Sequence, residues 1–143
     1  MSYQSSKNNI FHGYLSPKEL NGMMIPMTLQ HLTLSNYCKK NNAIYSLPTG
    51  ELVSQNSFFQ LFSLLKKLKN KSHIIMCSMY MLPSSETKLQ SFKKIITKKK
   101  IIIHCVLENF ILKSENQIEE MKQLKKIVNL TDTINELKIR RLY

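Results

Sequence analysis

Eight residues of this sequence have types and positions suited to ligand chemistry: Ser16, Lys18, Asn21, Gly22, Ser78, Tyr80, Glu108 and Asn109. Each follows an apolar run closely. Ser16 comes after Ile10–Leu15, Ser78 after His73–Cys77, and Glu108-Asn109 after Ile101–Leu107. Lys18 would supply positive charge, while Ser16, Ser78 and Asn21 would supply hydrogen bonds. Tyr80 offers a flat stacking face, and Glu108 an acid, a base or an acceptor for a hydroxyl. The plainer reading of the same residues is structural. Serines end strands, Asn21-Gly22 is a turn signal, and Tyr80 caps a core.

These residues can meet only if the runs before them are neighbouring strands. His73-Ile74-Ile75-Met76-Cys77 has no alternation of apolar and polar positions, as expected of a strand covered on both faces in a parallel sheet. Ile10–Leu15 ends at Ser16-Pro17, Ala43–Leu47 at Pro48-Thr49-Gly50, and Ile101–Leu107 at Glu108-Asn109. Phe110–Leu112 is a short extra strand. Between them lie helical segments. One begins near Pro26, with Ile25, Leu29 and Leu32 in one stripe and Leu34, Tyr37 and Cys38 elsewhere around it. A second runs from Ser57 with the stripe Phe58, Leu61, Phe62, Leu65 and Leu68. A third starts at Ser85, a capping residue, with Glu86 in its first turn and Leu89, Phe92, Ile95 and Ile96 inward. Ile118, Met121, Leu124 and Val128 mark a fourth, and Ile134–Leu137 a short last helix.

Strands alternating with single helices imply parallel pairing through right-handed crossovers. The expected fold is therefore a three-layer α/β domain over residues 10–143 behind a tail at 1–9. Its sheet has four to five mostly parallel strands in the flavodoxin-like order 2-1-3-4-5, with helices on both faces. In that order the first and third strands flank the switch point, where open α/β sheets keep their crevices. All eight candidates would then converge at one carboxyl edge.

Composition sets the limits. At 143 residues the chain has the size of one domain, and no apolar run reaches the ~18 residues of a membrane span. Polar residues at the start, with no signal-like apolar core, make the cytoplasm the default location. Cys38, Cys77 and Cys105 sit in apolar segments, so reduced buried thiols are expected. The formal charge is +12, and of 21 basic residues only Arg140 and Arg141 are arginine. Lys66, Lys67, Lys93, Lys94, Lys122, Lys125 and Lys126 fall on the polar faces of helices. A solvated lysine face in an AT-rich coding context explains them more simply than an anionic partner. His73 and His104 read as hydrogen-bonded core residues. No cluster with metal-ligand spacing, G-x-G-x-x-G, Walker loop or G-x-S-x-G elbow occurs, so neither metal nor cofactor is expected.

Two resemblances add to this. Gly13-Tyr14-Leu15-Ser16, followed by Asn21-Gly22, Ile25-Pro26, Leu29-Gln30 and Asn36–Asn41, and later Ser78–Pro83 and Val106–Asn109, resembles the sporadic carbohydrate cluster family of bacterial surface-polysaccharide gene clusters. That resemblance implies a setting in lipopolysaccharide or capsule synthesis. More distantly, the layout is similar to the catalytic domain of serine recombinases (resolvases and invertases). In those, a Gly-Tyr strand leads to a serine nucleophile and a later strand runs into an arginine-bearing loop. Here the first position reads Leu15-Ser16-Pro17-Lys18 and the second Tyr80-Met81-Leu82-Pro83-Ser84, both without arginine. Phosphoryl transfer depends on fixed positive groups around the phosphorus centre, so active recombination is not expected.

The expected function is accessory to surface-carbohydrate synthesis: binding or modifying a sugar or nucleotide-sugar at the carboxyl edge, or partnering an enzyme that does. Two alternatives stand beside it. One is a catalytically degenerate resolvase-like module binding nucleic acid, and the other is a homodimeric or higher homo-oligomeric scaffold.

Overall fold

A computed structural model describes residues 9–54 and 57–142, so most of the expected tail at 1–9 lies outside the described residues. The chain divides into two compact units, Met1–Lys113 and Ser114–Tyr143. The first holds β1 (Ile10–Leu15), α1 (Met27–Lys40), β2 (Ile44–Gly50), α2 (Phe59–Lys67), β3 (His73–Met76), α3 (Glu86–Lys99), β4 (Ile102–Cys105) and β5 (Phe110–Leu112). They form one five-stranded sheet in the order β2-β1-β3-β4-β5. β1 pairs in parallel with β2 and β3, and β3 with β4, while β5 turns back antiparallel on β4. The expected 2-1-3-4-5 sheet is the observed one. The first and third strands are neighbours at its centre, with Phe11, His12 and Gly13 beside His73, Ile74 and Ile75.

Alternation along β1 sends successive side chains to opposite faces. Phe11 meets Tyr37 of α1 on one face, with ring centroids 6.1 Å apart. Tyr14, of opposite parity, reaches Glu51, whose carboxylate binds the start of α2. The helices therefore lie on both faces, and the middle of the sheet is buried: Ile74, Ile75, Met76 and Ile103 are all inaccessible.

Local chemistry accounts for most boundaries. Ser85 caps α3, its hydroxyl accepting from Lys88 N–H at 3.4 Å, and Lys100 ends the helix in a left-handed conformation with φ 54°. Leu89, Phe92 and Ile96 form its buried row. α1 differs from the expected pattern. Its buried row is Gln30, Leu34 and Cys38, spaced by four, while Leu29 and Leu32 are exposed. A polar residue heads that row because its amide is wanted beneath the sheet edge, as described below. β2 runs through Pro48 instead of stopping there. A bulge between His12 and Tyr14 in the β1–β2 register absorbs the proline on an edge strand.

Cys77 and Cys105 are both buried, and neither forms a disulfide. Cys105 registers with Met76 and so has the opposite parity to Cys77, which puts the two sulfurs on opposite faces of the sheet. His73 and His104 are hydrogen-bonded inside the α1 face: Tyr37 Oη lies 2.7 Å from His104 Nδ1, and His104 Nε2 lies 2.9 Å from His73 Nδ1.

The second unit is one helix, α4 (Glu115–Leu142), where two were expected. It opens with a reciprocal cap: Ser114 N–H donates to Gln117 Oε1 at 3.0 Å, and Gln117 N–H donates to Ser114 O at 3.2 Å. The polar stretch Asn129–Thr133 does not break it. Thr131 and Thr133 hydroxyls donate to the carbonyls of Ile127 and Asn129, each at 2.9 Å, so they satisfy themselves within the helix. Among the described residues no helix is long and apolar enough to cross a membrane.

Candidate functional site at the carboxyl edge of the sheet

β1 ends at Ser16, which Gln30 holds by its main chain. Ser16 N–H donates to Gln30 Oε1 at 3.0 Å, and Gln30 Nε2 donates to Ser16 O at 2.7 Å and to Ile25 O at 2.8 Å. A fully buried amide thus imitates a neighbouring strand at the point where β1 runs out of partners. The Ser16 hydroxyl faces its own loop and accepts from Lys18 N–H at 3.3 Å. Only 1% of Ser16 is accessible.

The loop beyond it is a miniature hairpin. Leu20 N–H donates to Met23 O at 2.6 Å and Met23 N–H to Leu20 O at 3.0 Å, around Asn21 at φ 49° and Gly22 at φ 84°. Two successive positive φ values define a primed turn, which Asn-Gly adopts more readily than other pairs. Lys18 leans across the mouth of α2. Its ammonium donates to Ser57 O and stands 3.7 Å from the centroid of the Phe58 ring, which Lys88 approaches at 5.4 Å. Burial lowers the Lys18 pKa, the Glu51 charge opposes that shift, and Lys88 adds to it.

At the end of β3, Ser78 caps a short 3₁₀ turn over Met79–Met81, its hydroxyl accepting from Tyr80 N–H at 3.2 Å and donating to Glu108. Both oxygens of Glu108 accept from Met79 N–H at 3.2 Å. Glu108 comes from the Val106–Asn109 turn between β4 and β5 and closes the edge from that side. Asn109 takes φ 50° there, is exposed, and donates its N–H to Val106 O at 3.1 Å.

Two hollows result. One of about 320 Å³ is lined by Lys18, Asn21, Gly22, Phe58, Tyr80 and Ser84, among others. A second of about 160 Å³ is lined by Asn21, Ser78, Tyr80 and Glu108 with apolar neighbours. Of the candidates read from sequence, Lys18, Asn21, Gly22, Tyr80, Ser78 and Glu108 border one or both. Ser16 lies beneath the edge, and Asn109 borders neither. Sequence reasoning missed Glu51 and Phe58. Burial pushes the Glu51 carboxyl up, but N–H donors from Leu52, Gln60 and Leu61 and the Tyr14 hydroxyl outweigh it and hold the pKa below the ordinary value. Chemically, the described residues around the two hollows offer the Lys18 ammonium, the Ser78–Glu108 hydroxyl–carboxylate pair, the Glu19 carboxylate and the Asn21 amide. Among the described residues no guanidinium borders either hollow.

This sheet and its helices have counterparts among solved structures. The N-terminal catalytic domain of TP901-1 integrase is 17% identical with a TM-score of 0.61, the match covering 89% of this chain and 99% of that one. A resolvase family site-specific recombinase from Streptococcus pneumoniae is 10% identical with a TM-score of 0.63, covering 92% of this chain and 95% of that one. The fold is resolvase-like. No protein-family model matches the sequence, and no curated protein matches it. The structural neighbours correct one expectation. They are recombinase domains, which overturns the reading of a surface-carbohydrate protein with a lipopolysaccharide or capsule setting. The sugar ligand and the carbohydrate-enzyme partner rested on that setting and have no other support.

Proposed function

We propose that the chain is a catalytically degenerate resolvase-like module that binds nucleic acid. The observation that carries this reading is its combination of a recombinase-domain fold with 21 basic residues against 9 acidic ones. Charge of that sign draws in a polyanion over long range and supplies most of non-specific affinity. Degeneracy follows from the edge itself. The Ser16 hydroxyl is buried in its own loop, the Ser78 hydroxyl is bound to Glu108, and among the described residues no arginine borders either hollow. An attacking serine oxygen here would have no planar cation to stabilise charge on a phosphoryl group.

The test is fluorescence anisotropy with a labelled duplex between about 50 and 200 mM salt, alongside relaxation of a supercoiled plasmid. Binding should weaken steeply with salt, and no strand break or covalent protein–DNA adduct should form. Absence of binding at the low-salt end would sink the reading, and an adduct that disappears in Ser16→Ala would refute the degeneracy.

α4 favours one further reading, a homo-oligomer. Ile127, Leu130, Ile134 and Leu137 recur at three- and four-residue spacing and are 58%, 63%, 50% and 55% exposed. That is the seam of a coiled coil, which a second copy of the same helix would cover.

A further inference from the structure

We infer that the phosphates of a nucleic-acid partner are held at the opposite, amino edge of the sheet, in a lysine-lined concavity between the start of β1 and the α2–β3 loop. This rests on the nucleic-acid reading above and names the place where the phosphates bind. The concavity is about 510 Å³, and Asn9, Ile10, His12, Lys67, Lys69, Asn70, Lys71, Ser72 and His73 are among its walls. Among the described residues no acidic side chain lines it. Lys67, Lys69 and Lys71 are exposed, and none of them is paired with a carboxylate among the described residues.

The loop carrying these lysines is braced. Lys99 Nζ donates to the carbonyls of Leu65, Lys66 and Leu68 at 2.8, 2.8 and 3.0 Å, which occupies the negative end of α2 with a cation from α3. Lys71 N–H donates to Lys99 O at 2.8 Å and sits at φ 63°, while Ser72 is tied to Lys69 O through both its N–H and its hydroxyl. Because Lys99 already serves the helix end, Lys67 and its neighbours are not needed there. The two histidines each commit Nδ1 internally, His12 to Ser46 Oγ at 3.1 Å and His73 to His104. Nε2 of each ring then remains as a donor or acceptor for a ligand. Ammonium groups, imidazoles and the amides of Asn9 and Asn70 around one hollow suit a phosphodiester and its sugar. They supply point charge and hydrogen bonds without base-edge specificity.

Duplex binding should be compared between the unaltered protein, the triple variant Lys67→Gln/Lys69→Gln/Lys71→Gln, and a control of equal charge loss, Lys94→Gln/Lys126→Gln/Lys138→Gln. The concavity variant should lower the slope of log K against log salt by about 3, roughly one for each phosphate no longer neutralised, while the control leaves it near the parent value. The charge-keeping variant Lys67→Arg/Lys69→Arg/Lys71→Arg should bind as the parent does, and circular dichroism confirms that each variant is folded. Equal losses in the concavity and control variants would overturn the inference and leave the nucleic-acid reading standing. No binding by the unaltered protein would overturn both.

Discussion

The Tyr14 hydroxyl donates to Glu51 Oε2 at 2.8 Å inside the first unit, 37 residues away in sequence, and this contact joins β1 to the start of α2. The same carboxylate accepts from the N–H groups of Leu52, Gln60 and Leu61, so it serves as a helix cap supplied from outside the helix. Glu51→Ala should therefore leave the buried donors of Tyr14 and Leu61 and the part-buried N–H groups of Leu52 and Gln60 without their acceptor at once. At about 1–3 kcal/mol for each orphaned group, the expected loss is large enough to show as a reduced urea midpoint. Tyr14→Phe removes one donor and should cost less. The double variant should fall short of the sum of the two, and strict additivity in the double-mutant cycle would mean that the Tyr14–Glu51 bond carries no stability.

Gly13 has another use than flexibility. A Cβ there would stand 2.7 Å from Cε2 of Tyr45, 2.9 Å from its hydroxyl and 3.0 Å from Cβ of Pro48. The edge strand leans its aromatic ring over the glycine, where His31 Nδ1 lies 3.1 Å from the Tyr45 hydroxyl. Gly13→Ala should destabilise by about 1–3 kcal/mol, the usual range for overpacking. Adding Tyr45→Ala should recover part of that loss in the same denaturation assay. If Gly13→Ala alone is neutral, the close approach is not a constraint.

How far the sequence disclosed this molecule depended on how local each signal was. The sheet order was legible because unbroken apolar runs such as Ile74–Met76 require cover on both faces, and cover on both faces requires crossovers. Ser85 and Asn21-Gly22 were legible because a cap and a primed turn are set within three or four residues. Glu51 was not. It is a single carboxylate after a glycine, and its meaning comes from Tyr14 on one side and Leu61 on the other. The exposed Leu29 and Leu32 misled for a related reason. A periodic apolar stripe does not say which row is inward, and that choice was made by the Gln30 amide bonded to Ser16. At the candidate site the neighbourhood of residues could be read, but not their commitments. Ser78 and Glu108 sit at the expected edge, yet much of their hydrogen-bonding capacity goes to each other and to Met79 N–H.

The imidazoles on the α1 face make stability depend on pH. Burial, then the neighbouring His73 and Lys113 charges, push His104 down to about 4 from the ordinary 6.5. His73 is lowered as well, by burial, Lys113 and His12. His104 is in contact with His73, the Tyr37 hydroxyl and the Phe11 ring, and it feels the Lys113 charge as well. A folded-state pKa below the unfolded one means that the unfolded chain binds more protons between the two values. Stability is then full above about 6.5 and falls as pH drops toward about 4, by up to ~1.4 kcal/mol per pH unit for each such proton. Urea unfolding across that window should show the decline, and His104→Asn should flatten it. A profile that is level through the window in the parent protein would contradict a neutral buried His104.

The α4 seam gives a prediction of association that does not depend on any ligand. Ile127, Leu130, Ile134 and Leu137 fall at the a and d spacing of a heptad, and no glycine or proline interrupts the helix around them. Four half-exposed aliphatic side chains in one row are costly to leave in water, at about 25 cal/mol for each Å² of apolar surface. A second copy would cover them with no new sequence needed. Sedimentation equilibrium should find the protein as a dimer or higher oligomer. Leu130→Glu/Ile134→Glu should shift it to monomer through charge placed in the seam, and the sheet should keep its pH-dependent unfolding. A parent protein that sediments as a monomer at all accessible concentrations would show that the seam is not used between copies.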